Sequence, residues 1–485
     1  MVLSPPQHWR SVAGTGSPSV PGSEFERIDP ATGAAASRAR ACRAAEAEAA
    51  GHAAARAFAG WAATPPIVKR RILLAAADQV TRHAAAIGAA MRAEIGATDL
   101  WVRFNLDVAR AHLSEAASLV TSVTGITSGP GDPLMLAFRD PVGVCLAIAP
   151  WNAPFVLGMR AVAMALACGN TVVLKASELC PATHLLIARV FDLAGLPDGV
   201  LSVVTHAPEH AAEVVEALIA HPAVRRVNFT GSTRVGRVIA ETAARHLKRC
   251  LLELGGKSPL LVLADADLDA AAEAAAFGAF LNQGQICMST DRIVVLDAVA
   301  DAFAAKLAQR AARLRSGDPR VPHWPLGPVA SLAVALRLAD LVADAVARGG
   351  AVLSGGPASG TFMDATVIDH VVPGMALYAE EAFGPLAVIC RAASVDEAVS
   401  IANDSAYGLS AAVFGRDVGA ALAVARRIDS GICHINGATV NDRPDMPFGG
   451  VKDSGYGRFG GPAALDEFTE LRWITIADGS QSYPL

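Results

Sequence analysis

RDPVGVCLAIAPWNAPFVLGMRAVAMALACGNTVVLKASE, residues 139–178, reads as one complete strand–helix–strand unit. The apolar run over 142–149 shows no polar alternation, so it predicts a strand covered on both faces. Residues 159–167 read as helical, and TVVLK, 171–175, is a second buried strand. Strands joined through a helix pair in parallel, because an antiparallel pair needs only a short turn. A parallel pair needs helices over its faces, and that points to an α/β fold.

The alternation continues outward from this unit. Helical patterns over 184–194, 209–220 and 235–246 precede strands over 200–204, 226–229 and 249–254. A parallel sheet with helices on both faces is expected here. A second α/β series opens at PLLVL, 259–263, passes through an alanine-rich helix before Cys287, and runs to about residue 450. Residues 36–120 read as helical, while 134–138 and the closing FTELRWITI read as strands. The Pro-, Ser- and Gly-rich stretch 1–23 reads as a loose extension.

Bulk properties narrow the function classes. A chain of 485 residues suggests roughly three units at ~150 residues each. Apolar residues make up 52% and charged ones 18%, too rich a mixture for disorder. A net charge of −5, with both signs interspersed, offers no basic stripe for nucleic acid. The eight cysteines form no C-x-x-C pair and no zinc-like cluster, so neither a metal nor a disulfide framework is expected. MVLSPPQHWR does not resemble a signal peptide, and the long uncharged run between Asp140 and Arg160 is interrupted by prolines. A cytoplasmic protein with no membrane partner is expected.

Candidate chemistry gathers where predicted strands end. Lys175 and Glu178 follow one strand and could grip the two hydroxyls of a ribose; taken alone, the window favours a solvated strand end. In FTGSTRVG, 229–236, Gly231 and a helix start suit a phosphate, although Ser232 and Thr233 also fit an ordinary N-cap. Glu253 ends the strand before two glycines and suits a general base; a surface turn is the alternative. Asn152, between the prolines of PWNAP, is a neutral donor suited to an oxyanion. In FGAFLNQGQICMSTDR, 277–292, Cys287 stands among polar residues instead of inside the apolar helix, which fits a thiol presented for chemistry or an incidental one in a connection.

Taken together, PWN, KASE, FTGSTRVG, ELGGKSP, GQIC, EEAFGP and PFGGVKDSG resemble the aldehyde dehydrogenase superfamily in order and spacing, from about residue 25 onward. CGNTVVLKASELCPATH, NQGQICMST, SGICHING and GVKDSGYGRFGG look like its bacterial salicylaldehyde, vanillin and benzaldehyde dehydrogenase branch. The resemblance implies a Rossmann-like dinucleotide-binding domain over 24–120 and 143–254, and a catalytic domain over 255–453. It implies an oligomerisation arm over 121–142 and 467–485, and a homodimer or homotetramer. It implies Cys287 as nucleophile, Glu253 as base and Asn152 as oxyanion donor. NAD would be held by Trp151, Lys175, Ser177, Glu178, Gly231, Ser232, Gly236, Leu254, Gly255, Glu381 and Phe383. Trp101, Arg160, Ile286 and Phe448 would line the substrate pocket, with no metal involved.

The sequence departs from the family at Ala153, where many relatives carry phenylalanine, at Arg160, where they often carry tryptophan, and over NGATVNDRPDM, 436–446. These departures bear on the substrate. Ala153 leaves room for a flat ring, and Arg160 could meet a ring hydroxyl or form a surface salt bridge. An aromatic aldehyde oxidised to its free acid is the expected reaction, with an aliphatic aldehyde or semialdehyde as the alternative. A cysteine hydrolase would need a positioned histidine, for which His434 is the candidate, and a non-catalytic homologue would be expected to lose Cys287 or Glu253.

Overall fold

The computed structural model describes residues 24–128, 134–321, 323–477, 479 and 483–484. The expected extension over 1–23 lies outside the described residues, as does 129–133 of the expected arm.

The strand–helix–strand unit forms as read. Strands Val144–Ile148 and Thr171–Lys175 are parallel neighbours, with Val144 opposite Thr171 and Ile148 opposite Lys175. Both strands are buried at every position, which explains their unbroken apolar runs. The connecting helix is Pro154–Ala167 and starts before the expected residue 159. Pro154 sits in its first turn, where a missing N–H breaks no helical bond, so this proline opens the helix instead of breaking it.

Around this unit the sheet runs Gly455–Tyr456, Arg249–Glu253, Val224–Thr230, Val144–Ile148, Thr171–Lys175, Leu201–Val204. All neighbours are parallel except the short antiparallel strand Gly455–Tyr456. The chain first moves to one side of Val144–Ile148, then returns to the other side at Val224–Thr230. That reversal leaves a crevice beyond the carboxyl ends of the strands. Side chains alternate between two cores, Leu146, Val173 and Val227 on one face and Cys145, Val172 and Leu174 on the other.

The second sheet has seven strands in the order Ala351–Ser354, Thr366–Asp369, Leu386–Ala392, Arg292–Leu296, Pro259–Val262, Ser410–Phe414, Ile432–Ile435. Only Ala351–Ser354 is antiparallel to its neighbour. A third sheet pairs Thr469–Ile476 antiparallel with Leu134–Pro141, with Ile126–Thr127 beyond. Helices Ala44–Ala62, Pro66–Arg82, Ala84–Ile95 and Asp99–Leu119 fill most of the helical region. Its first residues differ from expectation: Ala35–Arg40 is a strand paired with Glu24–Ile28. AASRAR carries no β-branched residue, so propensity alone favours helix, and pairing overrides it.

One buried carboxylate joins this hairpin to the crevice. The helix Pro181–Leu193 has no capping side chain of its own at Cys180. Glu94, fully buried, supplies the cap from a distant helix. Its carboxylate accepts from the N–H of Ala182 at 2.8 Å, the N–H of Thr183 at 2.9 Å, Thr183 Oγ1 at 2.7 Å and Ser37 Oγ at 2.5 Å. Replacing Glu94 with Leu strands these donors and should destabilise the fold by about 3 kcal/mol. A chemical denaturation midpoint equal to that of the parent would contradict this.

Candidate active site

A cleft of about 830 Å³ opens at the carboxyl ends of the first sheet, where the second sheet meets it. Trp151 and Asn152 follow the central strand Val144–Ile148, Lys175, Ser177 and Glu178 follow Thr171–Lys175, and Gly231 and Ser232 follow Val224–Thr230. Leu254 and Gly255 continue from Arg249–Glu253, and Cys287, Glu381 and Phe383 come from the second sheet's side. The chain thus brings nearly all of the expected cofactor residues to one wall or another of a single cleft. Gly236 is the exception. It is buried in the helix Thr233–Arg245, where a β-carbon would come within 2.5 Å of Leu254, so it serves helix packing.

The local geometry suits a dinucleotide. Lys175 Nζ lies 4.0 Å from Glu178 Oε2 at one end of the cleft. Ser232 caps its helix through Oγ, which accepts from the N–H of Val235 at 3.4 Å. A side chain at Gly231 would collide with the Phe229 ring, so the backbone there stays bare. Trp151 and Phe383 meet edge to face, with ring centroids 5.8 Å apart. Glu381 accepts from the N–H of Gly256 at 3.0 Å, and burial pushes its carboxyl up to about 7.

Cys287 sits on a strained connection. After the helix Leu268–Phe280, Asn282, Gln283 and Gly284 follow one another in the left-handed region, with φ of 50, 56 and 67°. Only the glycine adopts that conformation without cost. Side chains hold the turn in place: Asn282 Nδ2 donates to the Asn152 carbonyl at 3.1 Å, and Gln283 Nε2 to the Pro328 carbonyl at 3.1 Å. Gln285 Oε1 accepts from the N–H of Ala330 at 2.9 Å. The Asn152 amide donates to the Gln285 carbonyl at 2.8 Å, and Trp101 Nε1 donates to the Asn152 carbonyl at 2.8 Å. Sequence reasoning missed Asn282, Gln283 and Gln285. Their signal was a polar run, NQGQ, wholly buried between an alanine-rich helix and the thiol.

Glu253 and Arg160 lie behind the cleft wall. Glu253 is 1% exposed, and its Oε2 accepts from Arg160 Nη2 at 2.9 Å. Burial, followed by the Glu253 carboxylate beside it, pushes the Cys287 thiol well above its ordinary range. Arg160 is 3% exposed and lies between the rings of Phe448 and Phe459, each centroid 4.6 Å away. It is therefore not a surface salt bridge, because burial commits its guanidinium to carboxylates in the interior. Trp101, Ile286 and Phe448 are buried with Ala153 in one apolar cluster, and Cys287 packs against its edge.

The remaining candidates fall elsewhere. His434 is on the edge strand Ile432–Ile435 and does not line the cleft. Burial raises the thiols of Cys42, Cys145, Cys168, Cys180, Cys250, Cys390 and Cys433, and none of them lines the cleft.

Known proteins share this arrangement. The profile of the Aldehyde dehydrogenase family matches residues 18–474. A vanillin dehydrogenase of Pseudomonas fluorescens is 53% identical over 477 residues, 98% of each chain. A salicylaldehyde dehydrogenase of Pseudomonas sp. strain C18 is 48% identical over 95% of this chain and 96% of its own. The crystal structure of a salicylaldehyde dehydrogenase from Pseudomonas putida G7, complexed with salicylaldehyde, matches with a TM-score of 0.95 at 46% identity, over 98% of this chain and 99% of that one. With family profile, near full-length relatives and fold in agreement, the chain belongs to the aldehyde dehydrogenase family.

Proposed function

We propose that the protein oxidises an aromatic aldehyde to the free carboxylic acid with NAD, using Cys287 as nucleophile, Asn152 as oxyanion donor and Glu253 as general base. The observation that carries this reading is that Asn152 and Cys287 line one cleft whose walls suit a dinucleotide, with the buried Glu253 carboxylate close enough behind them to act on the Cys287 thiol.

An aldehyde carbon does not readily release hydride while it is trigonal. Addition of the Cys287 sulfur first makes a tetrahedral hemithioacetal, and the proton of the thiol goes to Glu253 or to water. The Asn152 amide, fixed by its bond to the Gln285 carbonyl, stands ready to stabilise the oxyanion. NAD held in this cleft would supply the hydride acceptor, and collapse of the oxyanion would leave the acyl group on the Cys287 sulfur as a thioester. Water then attacks the thioester carbonyl, Glu253 takes its proton, and the C–S bond breaks to give the acid and regenerate the thiol.

The residues present fit NAD. Gly231 and the N-terminus of the helix Thr233–Arg245 offer donors and space to a pyrophosphate. Lys175, Ser177 and Glu178 suit the adenine ribose, with Trp151, Ser232, Leu254, Gly255, Glu381 and Phe383 along the same cleft. Ala153, Trp101, Ile286 and Phe448 support an aromatic substrate, because a small residue beside an apolar wall accommodates a flat ring. The named activities of the vanillin and salicylaldehyde dehydrogenase relatives point the same way.

The arm sheet supports a homodimer or homotetramer, since Leu471, Trp473 and Ile476 stand exposed on it at 56, 70 and 53%. No described helix is long and apolar enough to cross a membrane. With all eight cysteines free, we assign the enzyme to the reducing cytoplasm.

Comparing kcat/KM for benzaldehyde, vanillin, salicylaldehyde and hexanal with NAD tests the substrate. The aromatic compounds should lead, and Cys287→Ala should abolish turnover; a lead for hexanal would overturn the aromatic assignment. Glu253→Gln keeps shape and removes basicity, so a burst of NADH should survive while steady turnover collapses. The absence of a burst would move Glu253 to an earlier step. For cofactor choice, a carboxylate beside the ribose repels a 2′-phosphate by about 1–3 kcal/mol, a roughly ten- to hundredfold preference for NAD over NADP. Glu178→Gln should narrow that ratio, and equal use of both cofactors by the parent would remove Glu178 from the assignment.

A further inference from the structure

Behind the cleft, four polar side chains that the reaction scheme above leaves unused form a buried chain that ends on Glu253. Arg160 Nη2 donates to Glu253 Oε2 at 2.9 Å and to Thr230 Oγ1 at 3.3 Å. Its Nη1 lies 3.8 Å from Asp442 Oδ2, and that same oxygen lies 3.6 Å from His112 Nε2. The side chains of Arg160, Glu253 and Asp442 are 2, 1 and 4% exposed. Burial alone would raise the Asp442 carboxyl, but His112 and Arg160 outweigh it and hold it below its ordinary range. Asp442 comes from the stretch 436–446, and Arg160 from the helix Pro154–Ala167. Both are sites where the sequence departs from its family's usual pattern.

The two Glu253 oxygens have different surroundings. Oε2 is held by Arg160, whereas Oε1 is buried with no nitrogen or oxygen donor, and the neighbouring Cys287 thiol is the one further group that hydrogen-bonds to this carboxylate. A buried carboxylate oxygen left without a donor is costly unless something in the working cycle fills it. A hydrolytic water would fill it.

We propose that Arg160 is the positioning residue of the general base: held by Asp442 and by the rings of Phe448 and Phe459, its guanidinium fixes Glu253 Oε2 and leaves Oε1 for the water that cleaves the thioester. This rests on the reading of Glu253 as the base. In that step a water O–H bond breaks, its proton passes to Glu253 Oε1, the oxygen bonds to the acyl carbon, and the carbon–sulfur bond breaks as sulfur leaves. Arg160 transfers no proton. It sets the direction in which the carboxylate points. Its partners are thus an enzyme carboxylate on each side, and a ring hydroxyl on the substrate is not needed to explain its charge.

Opposite charge shifts separate this role from simple structural support. Arg160→Met removes a positive charge beside Glu253, so the acid limb of the pH profile for acyl-enzyme hydrolysis should move up. Asp442→Asn removes a negative charge behind the arginine and should move the limb down. Arg160→Lys should return the limb toward its parent position while hydrolysis stays slower, because a point charge does not orient the carboxylate. The ratio of kcat/KM for salicylaldehyde to benzaldehyde should stay within about threefold of the parent, as expected when no substrate contact is lost.

A selective loss of salicylaldehyde with an unmoved limb would assign Arg160 to the ring and overturn the proposal, as would limbs that stay put in both Arg160→Met and Asp442→Asn. The pH profile of Cys287 alkylation by iodoacetamide, followed by peptide mass spectrometry, reads the same charges without turnover. It should move up in Arg160→Met and down in Asp442→Asn. If the parent oxidises none of the aldehydes, the proposed function fails and the alkylation profiles still decide this inference. If Arg160→Met does not fold, Asp442→Asn and Arg160→Lys carry the test.

Discussion

A β-carbon at Gly256 would land on the carbonyl of Cys287, and one at Gly255 would come within 2.7 Å of Glu381 Oε2. The two sheets can therefore meet at the site only if the chain between them has no side chains at these positions. The crossing segment is then tied on every side. Ser454 Oγ donates to the Gly255 carbonyl at 2.6 Å, the N–H of Leu254 donates to the Ser454 carbonyl at 3.1 Å, and Lys257 Nζ reaches Asp291 at 2.6 Å and the Glu380 carbonyl at 2.7 Å. Glu253 at the end of one sheet and Cys287 from the other become neighbours through this crossing. Without it the same residues would occupy two separate strand ends.

The thiol connection shows how the fold supports a strained element. Asn282 and Gln283 hold positive φ values that disfavour residues with a β-carbon, at about 1–2 kcal/mol each. Several hydrogen bonds to fixed carbonyls offset that strain, and the polar groups that make them are buried. Those bonds reach the PWN turn and the segment near Pro328, so the cysteine is positioned by two other parts of the chain. A thiol inside the preceding helix would have been easier to bury and could not have faced the cleft.

Much of this was legible in the sequence because it is local. Strand ends, glycine turns and the polar context of Cys287 all lie within short windows, and a parallel sheet gathers strand ends on one side whatever the loops contain. The strand Ala35–Arg40 was not legible, since its alanines and arginines favour helix until Glu24–Ile28 pairs with them. Gly236 entered with the family's cofactor set, and sequence alone does not distinguish a glycine that faces a ligand from one that lets its own helix approach a side chain such as Leu254. Arg160 was the hardest to read. Its partners Glu253 and Asp442 lie far along the chain, and no window of sequence contains all three.

That buried arrangement also explains how Glu253 and Cys287 can share one small space. An arginine removed from water beside a single carboxylate gains an ion pair but leaves most of its donors unpaired, which seldom favours the fold. Here Nε and Nη1 make no hydrogen bond either, but Asp442 balances the charge behind the guanidinium, and the faces of Phe448 and Phe459 replace part of the lost hydration. On its other side the same guanidinium draws on the carboxylate that would otherwise act most strongly on Cys287. Burial and the Glu253 charge raise the thiol, while Arg160 opposes them. These surroundings favour the protonated thiol beside the Glu253 carboxylate. A thiol kept in that state resists the oxidation and alkylation that a standing thiolate would invite.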